Sequence, residues 1–72
     1  MTEIIRDLTL VSNEIAIWLK RANDGHYYIE RRPKRQGSSA QRFPINEILV
    51  EKLQKLSNED AWIEIEKYLL MR

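Results

Sequence analysis

Apolar and polar positions alternate along two stretches of the chain on either side of a turn. Ile15, Ile17 and Leu19 alternate with Glu14, Ala16, Trp18 and Lys20; past Asn23-Asp24-Gly25, Tyr27, Ile29 and Arg31 alternate with Tyr28, Glu30 and Arg32. A period of two belongs to a strand with one buried face. Asn and Asp accept the bends of a type I turn, and Gly accepts the left-handed backbone that closes a three-residue loop, so the pattern predicts a β-hairpin. That loop sets Ala22 opposite His26, and hence Arg21 opposite Tyr27, Leu19 opposite Ile29 and Trp18 opposite Glu30. One face then carries Ile17, Leu19, Tyr27 and Ile29, and the other Trp18, Lys20, Tyr28, Glu30 and Arg32. A slip of one residue would exchange the faces.

Upstream, residues 3–11 (EIIRDLTLV) are rich in Ile, Leu, Val and Thr and predict a strand, with Ser12-Asn13 turning into the hairpin. A helix competes for the same residues, because Ile4, Leu8, Val11, Ile15, Trp18 and Ala22 are spaced 4-3-4-3-4, with Thr2 available as a cap and Gly25 as a stop. The matching run beyond the turn and the β-branched residues within 8–19 favour strands. Downstream, residues 33–41 (PKRQGSSAQ) read as a loop, in which Pro33 limits the third strand and Gly37-Ser38-Ser39 is polar and flexible. Residues 40–45 (AQRFPI) return as a short strand at the sheet edge, where Pro44 is tolerated.

Two helices follow. Asn46 caps the first, over residues 46–56, with Glu47 near its start and an apolar stripe of Ile48, Leu49, Leu53 and Leu56. Ser57 caps the second, over residues 58–71, with Asp60 at the third helical position, Trp62, Ile65 and Leu69 as the main stripe, and Ala61 and Tyr68 beside it. Ile63 and Leu70 lie outside that stripe, which points either to further contact with the sheet or to a partner or second copy. The expected fold class is α+β: an antiparallel meander of three to four strands followed by a C-terminal helical pair packed on one sheet face. It forms a single domain over residues 1–72, with 1–45 mainly β-sheet and 46–71 helical.

Composition narrows the functional classes. A chain of 72 residues buries only about 60% of its unfolded surface, which makes its stability marginal. It has no cysteine, hence no disulfide and no thiolate metal site, as suits a reducing compartment. No apolar run approaches the roughly 20 residues that span a bilayer, and the N-terminus lacks a signal-peptide pattern. A soluble, cytoplasmic protein without a membrane partner is therefore expected. The net charge is only +1, but it is polarised: residues 1–19 carry −2, residues 20–42 carry +5 and residues 43–72 carry −2.

Catalysis finds little support. The single His26 sits beside a turn with no activated Ser in its neighbourhood. One His, no Cys and scattered carboxylates do not converge on a metal. Neither a dinucleotide nor a Walker phosphate motif is present, and so short a chain leaves little room for a pocket of about 300 Å³. No enzyme, metal or cofactor is expected. The distinctive segment is basic: RRPKR packs four cations into five residues. The expected function is nucleic-acid binding, to DNA or RNA, through the 31–42 loop and the outer hairpin face. Arg31, Arg32, Lys34, Arg35 and Arg42 would contact phosphates, Lys20 and Arg21 would extend the track, and Trp18 and Tyr28 would stack on bases. The alternative is a small inhibitor or adaptor, of the kind carried by phages and mobile elements, docked on an acidic partner protein. Trp18, Tyr27 and Tyr28 would be its anchors, with Ile63 and Leu70 as a further contact or as a homodimer surface on the C-terminal helix.

The segment GHYYIERR, followed by a basic loop, a short strand and a helix, resembles the three-stranded-sheet DNA-binding domains at the N-termini of phage integrases. The resemblance covers about residues 14–56 and rests on the arrangement and the basic run rather than on a strict motif. It implies a sheet that lies in the major groove and reads base edges. This chain departs from that family in its additional N-terminal segment and its second C-terminal helix.

Overall fold

A computed structural model describes residues 2–11, 14–35, 37 and 39–71. Four strands, β1 (Glu3–Asp7), β2 (Ile15–Arg21), β3 (Tyr27–Pro33) and β4 (Gln41–Ile45), form one antiparallel sheet in the order β1-β2-β3-β4. Two helices follow, α1 (Glu47–Gln54) and α2 (Asn58–Leu70), completing an α+β arrangement. Among the described residues, no helix is long and apolar enough to cross a membrane.

The hairpin has the register that the alternation predicts, with Leu19 paired to Ile29, Trp18 to Glu30 and Arg21 to Tyr27. The Ala22 amide donates to the His26 carbonyl at 2.8 Å, and Gly25 takes φ +89°, the left-handed backbone that closes the turn. Residues 3–22 do not form the competing helix. Its stripe would have buried Val11, which is 99% exposed, whereas alternation carries Ile17 and Leu19 into the core.

β1 is shorter than the apolar run 3–11 suggests, for a local reason. The Asp7 carboxylate accepts from the Thr9 amide at 2.9 Å, and the Thr9 hydroxyl accepts from the Ile17 amide at 3.1 Å. Side chains thus take over from the backbone ladder two residues past the end of the strand. The Ser12-Asn13 turn and Ser38 lie outside the described residues. β4 closes the meander as an edge strand, with Pro44 where no further strand needs its missing N–H.

Both helix caps form where the sequence places them. Asn46 Oδ1 accepts from the Leu49 amide at 2.8 Å, and Ser57 Oγ from the Asp60 amide at 3.3 Å. The α1 stripe is turned slightly from the expected one: Leu49, Leu53 and Leu56 pack on the core as expected, but Val50 is buried with them while Ile48 is 78% exposed. At about 100° per residue, Ile48 lies roughly opposite Val50, so burying one expels the other. The helices cover one sheet face, where Leu8, Ile17, Leu19 and Ile29 pack with Val50, Leu53, Ala61, Trp62 and Ile65. Polar bonds fix this layer at both margins. The Trp62 indole N–H donates to the Leu8 carbonyl at 2.6 Å, and the Tyr68 hydroxyl to the Pro44 carbonyl at 2.8 Å. Among the described residues, no helix or second sheet covers the opposite face of the sheet.

Candidate functional site

Strand register arranges that uncovered face in rows. Ile4, Lys20, Tyr28 and Pro44 form one row across the sheet, and Asp7, Trp18, Glu30 and Arg42 form the next. Ala16 and Arg32 begin a third. Of the nine sequence-predicted phosphate or stacking residues, Trp18, Lys20, Tyr28, Arg32 and Arg42 thus share this face.

Glu30 sits at the centre of the face and is only 2% exposed. Its Oε2 lies 2.9 Å from Lys20 Nζ and 3.8 Å from Arg32, and its Oε1 lies 3.0 Å from Arg42 Nε. Burial pushes the Glu30 carboxyl up, but hydrogen bonds and charge attraction from Lys20 and then Arg42 outweigh it and hold the group below its ordinary value. Three cations thus gather over one carboxylate. The Arg32 and Arg42 side chains remain 52% and 63% exposed, so they keep donors for a ligand. Trp18 stands beside the cluster, with the Lys20 ammonium 5.4 Å and the Arg32 guanidinium 6.0 Å from its ring centre.

A second carboxylate, Asp7, marks the β1 margin of the face. The Thr9 hydroxyl and amide hold it below its ordinary value, with smaller help from the Trp18 indole and the charge of Lys34. Lys34 belongs to this margin: its ammonium donates to the Leu10 carbonyl at 3.3 Å, and its amide to the Glu14 carbonyl at 2.7 Å. Arg35, exposed beyond β3, and Glu14, exposed before β2, offset each other at that end. With Lys20, Arg32, Lys34 and Arg42 set against Asp7 and Glu30, the face keeps a surplus of two positive charges.

Two arginines expected in the same track lie elsewhere. Arg31 falls in register between Ile17 and Gln41, on the helix-bearing side, because successive strand residues point to opposite faces. Arg21 falls between Glu3 and Tyr27 on that side too, and pairs with the Glu3 carboxylate at 3.0 Å. Tyr27, expected beside Trp18 and Tyr28 as a partner anchor, also turns to the helix side and packs on the core. Ile63 and Leu70 are 53% and 84% exposed on α2, so neither is taken up by contact with the sheet. His26 is an exposed turn residue whose ring lies 2.9 Å from Asp24.

Glu30 and Arg6 were not singled out by the sequence pattern. Glu30 had a signal, an acid facing Trp18 within the basic segment. Arg6 had none: its guanidinium reaches the Leu53 carbonyl at 2.8 Å, the Leu56 carbonyl at 2.7 Å and Asn58 Oδ1 at 3.0 Å, in partners about fifty residues away. It satisfies carbonyls at the end of α1. Among the described residues, no three His, Asp or Glu side chains are grouped to hold a metal ion. A shallow open hollow of about 470 Å³, larger than chain length suggests, lies among Thr9, Leu10, Val11, Asn58 and Glu59. Two of its polar groups are engaged within the fold, the Thr9 hydroxyl with Ile17 and Asn58 Oδ1 with Arg6. No protein-family model, curated protein or solved structure matches this chain.

Proposed function

We propose that this chain is a non-enzymatic nucleic-acid-binding module and that the uncovered sheet face is its binding surface. The observation that carries this reading is the crowding of Lys20, Arg32 and Arg42 over the single carboxylate of Glu30, beside Trp18 and Tyr28. One carboxylate cannot balance three cations, and a polyanion supplies the missing charge while releasing its counterions. Burial of Glu30 fixes where the cations sit, so they meet phosphates with less side-chain entropy to lose. Arg32 and Arg42 bind phosphate, Lys20 and Lys34 extend the cationic margin, and Trp18 and Tyr28 supply aromatic surface. Arg21 and Arg31, turned to the helix side, are outside this surface.

Titration of labelled oligonucleotides at several salt concentrations, read by fluorescence anisotropy, tests the reading. In Arg32→Ala/Arg42→Ala, every phosphate deprived of its cation lowers the slope of log affinity against log salt by about 0.7 to 0.9. Arg21→Ala/Arg31→Ala leaves the slope unchanged. An unaltered affinity and slope in the first variant would overturn the proposal.

The exposed Ile63 and Leu70 favour a second reading, a protein-docking module. In that case an acidic partner takes the arginine and aromatic face, and α2 contributes an apolar contact to it or to a second copy. Absence of salt-dependent oligonucleotide binding, together with specific co-purification of a folded partner that survives nuclease, selects it.

A further inference from the structure

Resting on the nucleic-acid reading, we infer that the ligand is a single strand, bound with its bases on Trp18 and Tyr28, rather than a duplex. The first argument is width. Four strands spaced about 4.8 Å apart set the outer strand axes about 14 Å from each other before side chains are added, whereas a B-form major groove is about 12 Å wide and admits a helix or a two-stranded ribbon. With the helices covering its back, the sheet cannot thin itself to enter. Laid flat on an undeformed B-form duplex, it would touch phosphates alone and leave both rings facing a backbone.

The second argument is the placement of the rings. Trp18 pairs with Glu30, two residues from Tyr28 on β3, so the two aromatics are diagonal neighbours about 7–8 Å apart at the backbone. Adjacent nucleotides of an unstacked strand can reach both. Cations flank the pair: Lys20 lies directly across from Tyr28, Arg32 lies by Trp18, and Arg42 lies one strand farther out. Phosphates on either side of two seated bases therefore meet positive charge.

The third argument is exchange at Trp18. Its ring carries the Lys20 ammonium at 5.4 Å and the Arg32 guanidinium at 6.0 Å. Arg32 is the exposed one of the two, with 52% of its side chain in solvent, and a cation–π contact at so exposed a site is weaker than base stacking on an indole, so an incoming base replaces Arg32 over the ring. The displaced cation is then within reach of the phosphate next to that base. A duplex, whose bases are already stacked on one another, offers no such exchange.

Single-stranded DNA, single-stranded RNA and a blunt duplex of equal length are compared as labelled probes with the intact chain. The expected result is at least about tenfold tighter binding of a single strand, of either sugar, than of the duplex. Trp18→Ala costs about tenfold in single-strand affinity with the salt slope retained, and Trp18→Phe keeps most of it. Tyr28→Ala repeats the measurement at the second ring, should Trp18→Ala unfold. Equal or tighter duplex binding that still depends on Arg32 and Arg42 overturns the inference and leaves the nucleic-acid reading standing. Binding of none of the probes removes both.

Discussion

Replacing Glu30 with Gln keeps the shape of the side chain and removes its charge from beneath Lys20, Arg32 and Arg42. A buried acceptor that loses charge-assisted bonds typically costs about 1–3 kcal/mol, so Glu30→Gln should lower stability at neutral pH by that amount in urea denaturation. The sign of the pH dependence follows from the direction of its shift. The folded carboxyl lies below the 4.5 of an ordinary Glu, so its stabilisation is fully present above pH 4.5 and is lost as pH falls through the lower folded value. The gap between wild type and Glu30→Gln should therefore close in acid; a gap that stays constant from neutral pH to well below 4.5 would refute the role given to Glu30. At this scale the sequence was legible in alternation and illegible in aggregation. Arg31 and Arg32 adjoin in the RRPKR run, but period-two geometry sends them to opposite faces, so a cluster in sequence is split in space. Conversely, Arg42 is far along the chain from Lys20 and meets it at Glu30 only because β4 returns beside β3.

Elements were legible where a local rule fixes them. The Asn-Asp-Gly loop sets the hairpin register, and Asn46 and Ser57 start the helices, because each acts on a backbone within a few residues. Rotation of α1 was not legible. Ile48, Val50 and Leu53 are all apolar, and which of them faces inward depends on the sheet they meet. Nor was the tie between β1 and the end of α1 visible, since Arg6 finds its carbonyls through the whole fold. Arg6→Ala should strip those carbonyls of donors and destabilise the chain by about 1–3 kcal/mol in chemical denaturation. The hairpin amides would remain among the last to exchange with solvent, because the change acts at the β1–α1 seam. A thermal midpoint unmoved by Arg6→Ala would show that water replaces the guanidinium without loss.

The molecule as a whole has two unlike sides. One sheet face is sealed by helices over Ile17, Leu19 and Ile29, and the other carries exposed arginines and half-buried aromatics over a buried acid. Near-neutral net charge conceals this, since the carboxylates of the first and last thirds of the chain offset a basic middle. The sequence-level likeness to integrase N-terminal domains implies a groove-reading sheet, whereas under the single-strand proposal the fourth strand broadens the platform for an unpaired strand. Chemical-shift mapping of the amides during titration with a short single-stranded oligonucleotide tests the central claim most directly. The account predicts the largest changes at Trp18, Lys20, Tyr28, Arg32 and Arg42, with Ile63 and Leu70 on α2 unaffected. Changes centred on α2, or spread evenly over both sides of the sheet, would contradict it.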